Sequence, residues 1–413
     1  MERRLTRAQA SSAAAIQREI DLVARTGGRV VLPAMELELD RALQLRSGVE
    51  LCGQGPDTLL RKGPGRVYPL AGYHNYGMKD VPLKSTAGLA VGMTVSIHDA
   101  HTHGGFYETF ATIVWIEGDW VGLDHGIEAD YRGDAEPCLT TVYPLVCGHF
   151  VHDVAVRDLA LDGQRDANPI AMGACRGASV YFARSRDIEV ANVREFAYNG
   201  EGLGFQMCRE VAITGSSFAQ NTGNGLHPGA GSTNALFTDC QADGNGRAGF
   251  FFCVRANHIT VRGCRFAGNG TGLSIGTRDC HNLIEGCVLE DNRGPGVQVR
   301  DCPVPTEVHS CRIRQCALRR NALGDGSPGA GQIDIPGPAH DLVLDRNTFV
   351  GDGAHPGVRV GAEARQIFLE GNVFSDCRPD IETPAAALTA SRPGIECGYG
   401  DWAAACYRHL DTP

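Results

Sequence analysis

A base, a proton donor and a row of cations recur along this chain of 413 residues. His227 can take a proton near neutrality, since an unperturbed imidazole titrates at ~6.5. Tyr181 carries a hydroxyl that can return one. Arg255, Arg278 and Arg300 can each grip a carboxylate or sulfate through paired N–H groups. Such a set suits removal of a weakly acidic C–H proton beside a carboxylate: the arginines neutralise the anion, the histidine takes the proton and the tyrosine protonates the leaving oxygen. Asp279, Asp301 and Asp334 offer a different chemistry, the paired carboxyl groups that glycoside hydrolysis or glycosyl transfer needs. Gln206, Phe251, Gln298 and Arg359 stand at matching positions as substrate contacts, and His103 sits on a loop that could wall a groove. Each has a bland counterpart. An arginine at a turn is ordinarily solvated or ion-paired, and a lone histidine is as often packed and hydrogen-bonded as catalytic.

The elements that must position these groups are read from a repeat. Gly202, Gly225, Gly249, Gly272 and Gly296 each open a short apolar strand at intervals of 23 or 24 residues. Asn199, Asn221, Asn245, Asn269 and Asn292 precede them. Asn tolerates left-handed turns, and stacked Asn side chains can bond along a ladder. This period fits one solenoid coil of three short strands. Alternation within each strand points Leu226, Phe250, Phe252, Leu273, Ile275, Val297 and Val299 inward. The outward column then reads Tyr181, Gly204, His227, Phe251, Ser274, Gln298, Asp334 and Arg359, with glycines expected to open space around His227. A second inward column reads Cys240, Cys264, Cys287 and Cys311, continued by Asn347 and Asn372. Coils ~4.8 Å apart set stacked cysteines too far apart for disulfides, so free buried thiols are expected.

The fold class that follows is all-β: a right-handed single-stranded parallel β-helix with an N-terminal capping helix and an inserted antiparallel β module. Residues 1–63 form the helical cap and first coils, 64–148 the module, 149–382 the β-helix body and 383–413 a C-terminal cap or tail. A net charge of −10 argues against nucleic acid as a partner, and the chain has no apolar run that would span a membrane. A homo-oligomer is allowed. The first twenty residues hold charges and no apolar core, so no leader is expected; the chain as written reads as cytoplasmic, or as secreted if a leader has been removed. His98, His101 and His103 could share an ion with Asp99, but a polar loop without metal is the favoured reading. Asp162 to Asn168 is dense in oxygen, and Ca²⁺ is the one cofactor it would suit.

The start Gly27-Gly-Arg-Val-Val-Leu-Pro33, the turn Gly53-Gln-Gly-Pro-Asp-Thr58 and the repeated coils resemble the pectate-lyase-like β-helix superfamily. The resemblance spans nearly the whole chain outside the module. It implies a carbohydrate-active protein with an acidic oligo- or polysaccharide across its exposed sheet. A lyase or C5 epimerase on uronic-acid sugars ranks first. A hydrolase or fructotransferase using paired Asp, and a non-catalytic glycan-binding or tailspike-like module, are the alternatives. The lysine that many such lyases carry is missing, since no Lys follows Lys84.

Overall fold

The structure, a computed structural model, describes residues 1–72, 74–104, 107–172, 176–324, 330–401 and 403. Cys175, Cys406, residues 325–329 and the end of the tail lie outside the described residues. The chain forms two compact units. One comprises Met1–Phe182 with Val193–Gly204; the other comprises Ala183–Asn192 with the described residues from Phe205 onward.

In the first unit, Ser12 caps the helix Ala13–Val23 by accepting a bond from the Ala15 N–H (3.2 Å). Its apolar stripe, Ile16, Ile20 and Val23, is fully buried, and the helix packs on the strands Gly28–Val31 and Leu43–Gln44. Gly28–Val31 pairs in parallel with Val49–Cys52, and that strand pairs with His152–Asp162. The strand Glu2–Arg4, which no repeat announces, adds to the other side of Gly28–Val31. The inserted module is a six-stranded antiparallel sheet with its own core of Val81, Val95, Ile97, Ile113, Val121 and Leu139. Its strands include Thr94–His98, Thr109–Glu117 and Trp120–Leu123. The coils resume at Val146–His149, which pairs in parallel with Leu43–Gln44.

The second unit stacks coils of three strands each. Its register follows the alternation in the sequence. Leu273, Val297, Ile333 and Val358 are partners in one buried row, and Ser274, Gln298, Asp334 and Arg359 are partners in the row beside it. Two ladders of buried polar groups hold the coils. The side-chain carbonyl of Asn269 accepts from the backbone and side-chain amides of Asn245 (2.9 and 3.0 Å), and its own amide donates to the Ala242 carbonyl (2.9 Å). Asn292 and Asn321 repeat the pattern, so these buried amides are hydrogen-bonded. The cysteine ladder differs from its expected course. Cys287 N–H donates to Cys316 Sγ (3.4 Å), and Cys316 N–H donates to Asn347 (3.0 Å). Cys311 instead serves a neighbouring column, accepting from Asn282 N–H (3.5 Å). The reason is a longer coil: residues 301–310 push Cys316, rather than Cys311, into register. All described cysteines are free. After Ile381–Glu382 the tail doubles back along the coils. Gly398 N–H donates to the His281 carbonyl (2.7 Å) and Tyr399 N–H to Thr260 Oγ1 (2.8 Å).

Four histidines also stack from coil to coil. Ring centroids separate His258 from His281 by 5.0 Å, His281 from His309 by 5.5 Å and His309 from His340 by 5.1 Å. Burial, then His281, push His258 down to about 4; burial and the flanking imidazoles also lower His309. Charged groups beside the stack are Glu307 and Asp341, both on His340, and Arg365, which neighbours His340 in the sheet and lies 3.7 Å from Glu307. An unfolded histidine titrates at ~6.5, so between pH ~6.5 and ~4 the unfolded chain binds the proton first. The neutral stack's contribution is complete above that window and is lost as pH falls through it. We expect His258 to make the protein lose stability as pH falls from 7.5 to 4. Denaturant melts of the protein and of His258→Gln check this, since the variant should have the shallower acid slope; parallel profiles would contradict it.

Candidate functional site

The outward row of the second unit brings several expected residues together, and most of them bind one another. The His227 ring meets Phe251 edge-on at 5.1 Å, and the Arg300 guanidinium lies 4.4 Å over the same Phe251 ring. Arg300 donates to Ser274 Oγ (2.9 Å), to the Phe252 carbonyl (2.9 Å) and to Asp279 (3.2 Å). Asp279 is fully buried and also accepts from the N–H groups of Ala256 (3.0 Å) and Gly276 (2.8 Å). Burial pushes its carboxyl up to about 7 against the pull of Arg300. Asp334 is likewise spent on Arg359, through a pair that includes a 2.8 Å bond. Gln206 is buried, with its carbonyl accepting from the Ala230 N–H (2.8 Å).

The glycines of this face do not open space for a ligand, as the sequence suggested. A Cβ on Gly229 would lie 2.1 Å from Gln206 Nε2, and one on Gly276 would lie 2.2 Å from Arg300 Nε. The missing side chains make room for the protein's own polar groups. His227 is itself buried. Asp301 is exposed and Gln298 half-exposed. Arg255 and Arg278 differ from Arg300. Both sit at left-handed corners of adjacent coils, both are exposed, and neither has an ion-pair partner among the described residues. Replacing both with Ala should therefore weaken binding of an acidic oligosaccharide ~10-fold or more, with the melting temperature unchanged. An equal loss of melting temperature would make them structural instead.

In the first unit, Tyr181 lies beside a residue the sequence reading passed over. His149 is exposed at the end of Val146–His149, and its ring sits 5.7 Å from that of Tyr181. Although the residue is exposed, the protein packed around its ring keeps enough water away to lower its pKa against the pull of Asp124, so the imidazole is neutral at neutral pH and can accept a proton. Arg176 completes the group. Its guanidinium donates to the Glu108 carbonyl (3.0 Å) and pairs with Glu128 (2.8 Å), which leaves donors on the same fork for another carboxylate. His149 ends Val146–His149 and Tyr181 lies within the neighbouring strand Ala178–Ala183, but 32 positions separate them instead of 23 or 24. The segment around Asp162 to Asn168 stretches that coil and hides the match. In that segment the oxygens face cations of the chain itself. Asp162 pairs with Arg61 at 3.2 Å, and Asn168 accepts from the buried ammonium of Lys62. Burial lowers Lys62 to about 7. His103, expected as a groove contact, faces Glu108 at 3.4 Å.

Comparison with known proteins bears on the fold. The family described as "Right handed beta helix region" matches residues 177–331 and 251–401, together more than half of the chain. No curated protein matches it. Among solved structures, the A-module of Azotobacter vinelandii mannuronan C-5 epimerase AlgE4 is similar with a TM-score of 0.57 and 16% identity, over 92% of this chain and 95% of that one. The AlgE6 A-module of the same organism gives 0.56 and 16%, over the same shares. The catalytic domain of a GH87 α-1,3-glucanase gives 0.58 and 11%, over 97% of this chain and 66% of that one. No helix among the described residues is long and apolar enough to cross a membrane.

Proposed function

The chain belongs to the right-handed β-helix family, and from that premise we propose that it acts on a polysaccharide of uronic acid, removing the proton at C5 of the sugar. The observation that carries this reading is the placement, in the first unit, of an exposed neutral His149 against the ring of the buried Tyr181, with Arg176 near enough to act on both electrostatically. Arg176 would pair with the sugar carboxylate and stabilise the negative charge that develops when C5 loses its proton. His149 takes that proton. Tyr181 gives its hydroxyl proton to the departing oxygen at C4, and the C4–O bond breaks as the C4–C5 double bond forms. An acid and a base side by side favour this elimination; reprotonation at C5 from the other face would give the epimer. The mannuronan C-5 epimerase modules that share the fold make the substrate class a reasonable one for this scaffold.

A second reading is favoured by a separate observation: in the second unit the buried Asp279 and Asp334 are paired with the half-buried Arg300 and Arg359, while Arg255 and Arg278 stay exposed. That face suits holding an anionic chain without reacting with it. Product analysis on mannuronan and polygalacturonate tests the choice. Short-wavelength ultraviolet absorbance from an unsaturated sugar marks elimination, inverted C5 stereochemistry by NMR marks epimerisation, and new saturated reducing ends would overturn both in favour of hydrolysis. Binding with no product would leave only the second reading.

A further inference from the structure

The inserted antiparallel module gathers metal-ligating side chains that the proton chemistry does not use. We propose that His98, His103 and Glu108 hold a divalent ion of the zinc class. One ligand atom from each of the three lies within 4.8 Å of the other two. His103 Nδ1 and Glu108 Oε2 are already 3.4 Å apart. With metal–ligand bonds of ~2.0–2.1 Å, tetrahedral ligands stand ~3.4 Å from one another. A small movement of the third side chain closes the set.

The fold explains why these residues meet. His98 ends the strand Thr94–His98, and Glu108 directly precedes its antiparallel partner Thr109–Glu117. The turn between them is built on Asp99. One oxygen of Asp99 accepts from the N–H groups of His101 (2.9 Å) and Thr102 (2.8 Å), and the other from Arg132 N–H (2.9 Å). This turn folds His103 back over His98, with ring centroids 4.2 Å apart. Glu108 is fully buried and aimed by bonds from Ser96 Oγ and from the Gly104 N–H (2.7 Å). Outer bonds of this kind orient a ligating carboxylate.

The donor set points to the class of ion. Two imidazoles and one carboxylate suit zinc and its neighbours, whereas calcium takes six or more oxygens. Cys138 faces His98 across the neighbouring strand pair, with Sγ 3.8 Å from His98 Nε2, and adds a soft atom at the rim. His98 is buried while His103 is exposed, so an ion could enter from the His103 side. The plain alternative is an ion pair between His103 and Glu108 with His98 merely packed beside it.

Calorimetry on the full chain, stripped with a chelator and then titrated with zinc chloride, decides between them. A single equivalent of zinc should bind and raise the melting temperature. His103→Ala should bind at least ~100-fold more weakly while the metal-free protein melts as before. Because His103 is on an exposed loop, this variant should fold. If it does not, His98→Gln serves in its place. Absence of zinc binding, equal affinity in the variant, or preference for calcium chloride would each overturn the proposal.

Discussion

Phe252→Asp is expected to unfold the second unit at a temperature where the parent is intact. Phe252 is fully buried, with its ring 4.8 Å from that of Phe250, which in turn meets Phe237 at 4.7 Å and Phe266 at 5.8 Å. An Asp there would remove most of an aromatic contact and leave a carboxylate with no cation inside the coil. Loss of a buried aromatic side chain costs ~3–5 kcal/mol, and the unpaired polar group adds to it. That sum is a large share of the stability of an ordinary domain. Gln298→Asp, on the outward row two coils along, is the control and should change stability by no more than ~0.5 kcal/mol. Thermal and urea melts of the two variants check both statements. If Phe252→Asp melted like its parent, the inward and outward faces would be exchanged, because a slip of one residue turns every side chain of a strand over.

The second large effect is on turnover. Tyr181→Phe removes a single hydroxyl and leaves the ring that packs against His149. If that hydroxyl protonates the departing oxygen, the rate on a uronan should fall ~10²–10⁴-fold, the usual worth of a placed general acid. Affinity for the polymer should be kept, because Arg176 still faces the carboxylate. His149→Gln should lose a similar factor and should not destabilise the protein, since His149 is exposed. Retention of the full rate in both variants would remove the group from the mechanism.

The parts legible in the sequence were those governed by a fixed period. Glycines at 23 and 24 residues placed Ser274 and Gln298 in one row, alternation within the later strands added Asp334 and Arg359, and all four are partners in the sheet. The Asn ladder was equally plain, because a buried amide needs a bonding partner and the coil above supplies one. Legibility ended where a coil changes length. A coil lengthened before Cys311, which takes the step to the next ladder cysteine to 29 positions, displaced the column to Cys316, and the long coil before Tyr181 concealed His149. Pairing between long side chains was the second blind spot. Arg300 reaches back two coils to the Phe252 carbonyl and pairs with Asp279, 21 positions earlier. Spacing alone does not disclose such reach, and so arginines that look like anion sites can turn out to be internal. The third was the antiparallel module, where Glu108 and Cys138 join His98 only through strand pairing that a 23-residue rhythm does not describe.

The central claim is that this protein removes the C5 proton of a uronic-acid residue, and exchange with solvent measures that step directly. Mannuronan or polygalacturonate incubated with the protein in D₂O should gain deuterium at C5, in recovered polymer if the reaction is epimerisation or reversible, or show loss of the C5 proton in an unsaturated product if elimination completes. Tyr181→Phe and His149→Gln should slow the change at C5. A polymer that binds the protein yet keeps every C5 proton, with no unsaturated product, would contradict the account.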